Sequence, residues 1–342
     1  MSSQPKRVAN LSDENALLFL SEADTIALLK WPDVIACLAA AYGEPDDPAA
    51  VPPRVVARKG TAWLRVLSAL SPSGKHMGVK IIGRARKPQS SYLIPLWDQE
   101  TAELVCLIDG KNITGMRTAG TTAMVVDRVL PKKPIRVAVL GSGQEAQAHA
   151  GAIGSVREII SLKVFSPTPA SREGFAKRFA QELHTECKAV ASALEAIEGA
   201  DLIIGAARSR DETPTLKGEW LKPGAMVISI GSTLQEQIEV DPEVIRRAEV
   251  IVADVPEEVA HETGDMLAAA KAGVKFSDKM ISICDLVQGR RVAVQRADNI
   301  ILFKSVGSAL QDIAVSEMCL EKARSCGLGT RLPVSLTVKG KK

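Results

Sequence analysis

From residue 135 to residue 303 the chain alternates short apolar runs with longer stretches of mixed polarity. The runs at 135–140, 160–165, 188–190, 200–206, 225–230, 250–254, 280–283 and 299–303 predict eight strands. Several of the intervening stretches have helical length, so this part predicts a doubly wound α/β domain with a parallel sheet and helices on both faces. The first third has a different rhythm. Short apolar or alternating runs at 62–68, 77–82, 91–97 and 103–108 lie between Gly, Pro and Ser clusters, with a hairpin turn at 98–102. They predict an antiparallel sheet. An amphipathic helix over 32–42 has proline in its first turn, and a proline-rich loop follows over 43–53. Residues 20–30 mix strand-like and cap-like pieces, and 1–15 read as a polar lead-in. Long helices are predicted over 113–130, leading into the second domain, and over 308–326, stopping at Gly327-Leu-Gly329.

Composition narrows the class. The 342 residues are 46% hydrophobic and 24% charged, ordinary for a globular chain of about two domains. A net charge of +3 is too small and dispersed for a nucleic-acid partner. The basic end, Val338 to Lys342, reads as a solvated tail. Neither a signal-like N-terminus nor a membrane-length apolar run is visible, so the expectation is a cytoplasmic protein without a membrane partner. Six scattered cysteines lack a C-x-x-C, and four histidines form no metal-binding pair, so no metal is expected. There is no G-x-S-x-G elbow.

The chemistry concentrates at Ile135-Arg-Val-Ala-Val-Leu-Gly-Ser-Gly-Gln-Glu-Ala146. A strand runs into Gly141-x-Gly143-x-x-Ala146 and then into a helix-prone segment. Gly141 suits the tight turn, Gly143 the approach of a pyrophosphate, and Ala146 close helix–strand packing. The helix N-terminus would receive the phosphates. An acid ending the next strand would bond a ribose 2′-hydroxyl; here that strand ends in Ser166-Pro-Thr168, with Arg172 nearby. This favours NADP(H), with NAD(H) as the alternative. Ser166, Thr168 and Ser171 could instead simply cap the following helix.

Over about residues 20–330 the chain resembles the ornithine cyclodeaminase/mu-crystallin family, which includes archaeal-type alanine dehydrogenases and ketimine and imine reductases. The resemblance is carried by Leu20-Ser-Glu-Ala-Asp, Pro53-Arg54-Val55, Met77-Gly-Val-Lys80, Leu107-Ile-Asp-Gly-Lys-Asn-Ile-Thr-Gly-Met-Arg117-Thr118-Ala119 and Leu302-Phe-Lys-Ser-Val-Gly307-Ser-Ala-Leu-Gln-Asp312. The glycine motif and Leu221-Lys-Pro-Gly-Ala-Met-Val-Ile-Ser-Ile-Gly231-Ser232 lie between them.

The resemblance implies a Rossmann domain over 119–305. It also implies a smaller α+β substrate-binding and dimerisation domain from both chain ends, 1–118 and 306–342, a homodimer, and an active site in the cleft between the domains. Hydride would pass between a nicotinamide and the α-carbon of a small amino or imino acid. By the same resemblance Arg54 and Lys80 sit at the substrate, Arg117 at the cofactor–substrate junction, and Ser305, Val306 and Gly307 by the nicotinamide. Thr118, Gln144, Glu145, Ala207, Ile228, Ile230 and Gly231 join Gly141, Gly143, Ala146, Ser166, Thr168 and Arg172 at the cofactor. The residue chemistry agrees, because an imino acid needs a cation for its carboxylate and a proton at nitrogen. Lys80 in an apolar run suggests a functional or paired charge. Arg54 could be a surface arginine, Arg117 could pair with Asp109 or another acid purely for structure, and Asp312 could handle protons or pair with Lys304.

The sequence also departs from the family pattern. Thr233 stands where cyclodeaminases and archaeal-type alanine dehydrogenases have aspartate, Glu145 where glutamine is usual, and Ala207 where threonine is usual. Arg84-Ala-Arg86-Lys87 is either a solvated loop or, if it faces the cleft, a seat for a second substrate carboxylate. The resulting expectation is an NAD(P)H-dependent imino-acid reductase or amino-acid dehydrogenase. Redox-neutral ornithine or lysine cyclodeamination and non-enzymatic NADP(H) binding are the alternatives.

Overall fold

The computed structural model describes residues 17–85, 89–334 and 336–338. The polar lead-in, Arg86, Lys87 and most of the basic tail lie outside the described residues. Its strands are β1 Leu18–Leu20, β2 Val55–Lys59, β3 Ala62–Leu70, β4 His76–Arg84, β5 Ser90–Asp98, β6 Leu104–Asp109, β7 Ile135–Leu140, β8 Ile159–Phe165, β9 Glu186–Ala189, β10 Leu202–Gly205, β11 Met226–Ser229, β12 Ala248–Ala253, β13 Met280–Ser282, β14 Ile300–Lys304 and β15 Thr330–Arg331. They form two sheets in two compact units.

The first unit comprises residues 1–28, 50–113 and 312–342. Its seven-stranded sheet runs β15-β1-β6-β5-β4-β3-β2. The expected antiparallel meander is β3 to β6, and β2, not expected from the sequence, pairs antiparallel with β3 at its edge. The sheet as a whole is mixed, because β1 pairs parallel with β6 and antiparallel with β15. The expected hairpin joins β5 to β6, with Asp98 Oδ1 accepting from the N–H groups of Glu100 and Thr101 at 2.9 and 2.8 Å. The helix Ala309–Cys326 lies on this sheet from Asp312 onward. At Gly78 an added Cβ would come within 2.7 Å of Ile313 Cδ1 and 2.8 Å of the Pro95 carbonyl oxygen, so glycine sets this close approach.

The second unit comprises residues 29–49 and 114–311. The helix Trp31–Gly43, assigned by resemblance to the end-built domain, thus falls in this unit. Its eight-stranded sheet is parallel throughout, in the order β13-β12-β14-β11-β10-β7-β8-β9. The order turns back at β7, and the carboxyl end of such a switch point is where open α/β sheets bind ligands. β14 inserts between β11 and β12, placing Lys304 level with Ser229 and Ala253. The apolar runs of β10, β11 and β14 are buried at every residue.

Candidate active site

In the second unit Gly141 leaves β7 with φ +116°, and a Cβ there would meet the Ala206 carbonyl oxygen at 2.9 Å. Gly143 caps the helix Gln144–Gly154 without a side-chain bond, and space around its Cβ direction is open to 4 Å. Ala146 is fully buried. A helix leaves its first-turn N–H groups without partners inside the helix. This open glycine-lined N-terminus at the switch strand fits a dinucleotide pyrophosphate. Gln147, in the same turn, donates to the Ser142 carbonyl at 3.1 Å and accepts from Arg178 at 2.6 Å. Half-buried Glu145 gives its carbonyl to His149 Nδ1 at 2.8 Å, and His149 Nε2 lies 3.0 Å from Thr122 Oγ1. Burial holds the His149 imidazole at about 4, so it is neutral near pH 7.

At the end of β8, buried Ser166 accepts a hydrogen bond from Ser142 Oγ at 2.9 Å. Arg172 donates to the Ser166 carbonyl at 2.9 Å and lies over the Phe165 ring. Thr168 is the N-cap of the helix Pro169–Glu182, but its side chain makes no capping bond, so capping does not account for it.

The ends of β11, β12 and β14 hold two buried polar networks. Lys304 Nζ pairs with Asp265 at 2.7 Å and donates to Ser229 Oγ at 3.0 Å and the Ser232 carbonyl at 2.8 Å. Asp312, expected either to handle protons or to pair with Lys304, contacts Lys80 in the first unit. Glu239 accepts from Ser229 Oγ, Gly231 N and Ala207 N at 2.7, 3.0 and 3.2 Å. It thereby ties together two expected cofactor loops. Burial, and next the nearby Asp265 charge, raise the Glu239 carboxyl against the lowering pull of Lys304. Ile228 is fully buried in β11, and Ile230 is half-buried one residue past the strand end.

Asp254, just past β12, accepts from Ser305 Oγ at 2.6 Å, Val306 N at 3.0 Å and Gly307 N at 2.7 Å. Arg117 Nη1 donates to Gln311 Oε1 at 2.7 Å. Gln311 Nε2 donates to the Tyr42 hydroxyl at 2.8 Å. Gly307 has φ +83°, and a Cβ there would stand 2.7 Å from Arg117 Nη1, so only glycine lets this backbone pass the guanidinium. Thr118, on the same helix Gly110–Val129, donates to the Thr114 carbonyl at 2.7 Å. Asp254, Gln311, Tyr42 and Glu239 were not singled out from the sequence. The available signal was the position of Asp254, a carboxylate directly after an apolar strand.

In the first unit Lys80 Nζ contacts both oxygens of Asp312, at 2.7 and 2.9 Å, with both side chains essentially buried. Beside it, His76 Nδ1 lies 3.0 Å from Glu317 Oε2. Lys80 opposes Leu67 on β3, and Arg65, two residues along, opposes Ile82 on β4 and Val56 on β2. Side chains alternate along strands, so Lys80, Arg65 and Val56 share one face. Arg54 is half-buried directly before β2. Arg65 is 8% exposed and lies 5.0 Å from the Trp63 ring centroid. It was missed from the sequence, although it interrupts an apolar run just as Lys80 does. Arg84 lies exposed at the far end of β4, on a cleft of about 770 Å³ lined also by Arg58, Trp63 and Ser90. That cleft includes neither Lys80 nor Arg54 among its lining residues. Among the described residues no group of three or more His, Cys, Asp or Glu side chains could hold a metal ion.

A Rossmann unit with a glycine-lined nucleotide turn, in a chain whose other unit carries a buried lysine–aspartate pair, marks the class as nucleotide-dependent α/β proteins. The chain belongs to the ornithine cyclodeaminase/mu-crystallin family, whose model matches residues 25–327. It is 25% identical over 292 residues to a Delta(1)-pyrroline-2-carboxylate reductase of Bacillus cereus, covering 85% of this chain and 86% of the relative. It is 27% identical over 295 residues to the ketimine reductase mu-crystallin of Mus musculus, covering 84% and 90%. The solved Thermococcus litoralis Delta(1)-pyrroline-2-carboxylate reductase, in complex with NADH and L-proline, superposes with a TM-score of 0.85 at 26% identity, covering 92% and 100%.

Proposed function

We propose that this protein is an NAD(P)H-dependent reductase of small α-imino acids, able to run in reverse as an amino-acid dehydrogenase. The observation that carries it is the buried, two-oxygen Lys80–Asp312 pair in the first unit's sheet. Family relatives named as pyrroline-2-carboxylate and ketimine reductases support it. When bound, the nicotinamide supplies or accepts the hydride. Arg54 and Lys80 bind the substrate carboxylate, the guanidinium giving a planar fork. Lys80, held by Asp312, gives a proton to the imine nitrogen and so increases the electrophilicity of the carbon. Asp312 positions the ammonium. The glycine turn, Arg117 and Ser305 to Gly307 hold the dinucleotide, with Arg117 fixed by Gln311 and the Ser305–Gly307 backbone by Asp254.

The test is oxidation of NADPH and NADH with cyclic ketimines and with 2-oxo acids plus ammonia or amines. Stoichiometric cofactor consumption is expected. Rapid formation of proline and ammonia from ornithine with only catalytic cofactor would replace the proposal by cyclodeamination. Thr233, bonded through its N–H to Gln237 at 2.9 Å, offers no carboxylate for that chemistry. Cofactor binding without turnover of any imine would leave a binding protein.

The preferred dinucleotide is NADP(H), because Ser166 stands where an acid would repel a 2′-phosphate and Arg172 is anchored beside it. Ser166→Asp is expected to shift the ratio of Kd values toward NAD(H) by on the order of tenfold or more, about the value of one charge-assisted contact. Tighter NADH than NADPH binding by the unmodified protein, read by fluorescence titration, would overturn the preference.

The assembly is a homodimer through the first unit's sheet. The face opposite Lys80 exposes Val55, Leu64 and Leu93, with Val66 and Ile81 between them in register. A contiguous apolar face of this kind is unusual on a monomer. Light scattering at micromolar concentration should give twice the chain mass, and Leu64→Asp should shift it toward one.

A further inference from the structure

We propose that Glu239 is the positioning residue for the nicotinamide half of the dinucleotide, because it fixes the two loops on which that half rests. This depends on the dinucleotide reading above and concerns the same cofactor site. Strands β10 and β11 are neighbours and end at Gly205 and Ser229. Their ladder closes with Ile230 N donating to the Gly205 carbonyl at 3.3 Å. Beyond it the acceptor is a side chain: Glu239 Oε1 takes Ala207 N, and Oε2 takes Gly231 N and Ser229 Oγ. The seat is shaped for a carboxyl group. Glu239 is fully buried, a Cβ on Gly205 would stand 3.0 Å from its Cδ, and one on Gly231 would stand 2.3 Å from its Oε1. Its own backbone is held from two sides. The Glu239 N–H donates to Asp265 Oδ1 at 2.7 Å, and its carbonyl accepts from Thr215 N at 2.9 Å and Leu216 N at 3.2 Å. A group mounted this firmly sets the position of the loops rather than following them.

The sheet order decides which part of the cofactor those loops serve. The order turns back at β7, with β8 on one side and β10 and β11 on the other. A dinucleotide bound across such a crevice lays one mononucleotide half on each side. Ser166, at the position that meets the adenosine ribose, ends β8, so the adenosine half belongs to that side and the nicotinamide half to β10 and β11. The electrostatics agree. Ala207 and Gly231 turn their N–H groups inward to Glu239 and so offer none to a phosphate. Two buried carboxyl groups, Glu239 and Asp265, share the one cation Lys304, and Arg208 beside Gly231 is paired with Glu212. Such a surface disfavours an anion and suits the nicotinamide ring, while the helix N-terminus at Gly143 takes the phosphates.

The experiment measures Kd by calorimetry for NADPH and NADH, and for adenosine 2′,5′-bisphosphate and ADP, which lack the nicotinamide half. Unmodified protein is compared with Glu239→Gln and Gly205→Ala. Glutamine keeps the shape but has one acceptor oxygen, so the N–H of Ala207 or of Gly231 meets an NH2 group and its loop shifts. Binding the nicotinamide half must then restore the loop, which should weaken the preferred dinucleotide by about 10–100-fold, the equivalent of one unpaired buried donor. The adenosine probes should bind as before. Gly205→Ala presses on the same carboxyl group without removing it and should give the same selective loss in smaller measure; it decides by the same comparison if Glu239→Gln does not fold. Equal weakening of dinucleotides and adenosine probes, or unchanged dinucleotide binding in the variants, overturns the role of Glu239 and leaves the dinucleotide site standing. Failure of the unmodified protein to bind either dinucleotide overturns both.

Discussion

Lys80→Met is expected to lower kcat/KM on any imino acid by about 10²–10³-fold while dinucleotide affinity stays near that of the unmodified protein. Truncating one member of a buried, hydrogen-bonded charge pair costs about 2–5 kcal/mol, and each 1.4 kcal/mol is tenfold in rate. The dinucleotide elements, Gly141 to Ala146 and Ser305 to Gly307, belong to the other compact unit, so their affinity is a separate readout. The variant also leaves the Asp312 carboxylate buried opposite a methyl group, so the protein should lose about 3–5 kcal/mol of stability. Lys80→Met combined with Asp312→Leu separates the two effects. Replacing both charges by apolar groups should recover much of the stability, but none of the turnover. Full kcat/KM in the single variant would remove Lys80 from the chemistry.

The other large effect is expected at Lys304. It is fully buried, pairs with Asp265, and lies close enough to Glu239 to pull against the upward shift of that carboxyl. Lys304→Met leaves two carboxylates in the interior of the second unit, and about 3–5 kcal/mol of stability should be lost near neutral pH. The pH dependence has a defined sign. A carboxyl raised in the folded state binds protons that the unfolded state has released, so its folded form gains stability as pH falls from the folded value toward the unfolded one. Removing Lys304 strengthens that raise. The gap between variant and unmodified protein in denaturant midpoints should therefore narrow from pH 8 to pH 5. Equal midpoints at pH 8 would show that the network contributes little.

The sequence made most of the second unit legible, for a physical reason. Strands buried on both faces read as continuous apolar runs, and β10, β11 and β14 lie within two residues of their expected bounds. The exposed edge strand β2, Val55–Lys59, has no buried residue and so no alternation to detect. Residues 20–30 gave a mixed signal because they contain the end of a three-residue strand and a seven-residue helix, each too short for periodicity. Lys80 stood out as a charge in an apolar run, but its partner lies 232 positions away, and no local pattern chooses between Lys80 and Lys304 for Asp312. Arg65 gave the same kind of local signal and was passed over. Only the strand register shows that it shares the face of Lys80.

The first unit is assembled from the two ends of the chain, with β1 paired to β15 at Leu18 and Arg331, and Lys80 joined to Asp312. During synthesis, therefore, this unit cannot be completed until residues 312–331 have left the ribosome. The sequence between 114 and 311, together with 29–49, can collapse around its own parallel sheet earlier. Closing so long a loop carries an entropic cost that grows only slowly with length, but it delays the native contacts that repay it. The meander β2 to β6 then waits as a nascent sheet, and truncation of the last thirty or so residues should affect solubility before it affects nucleotide binding.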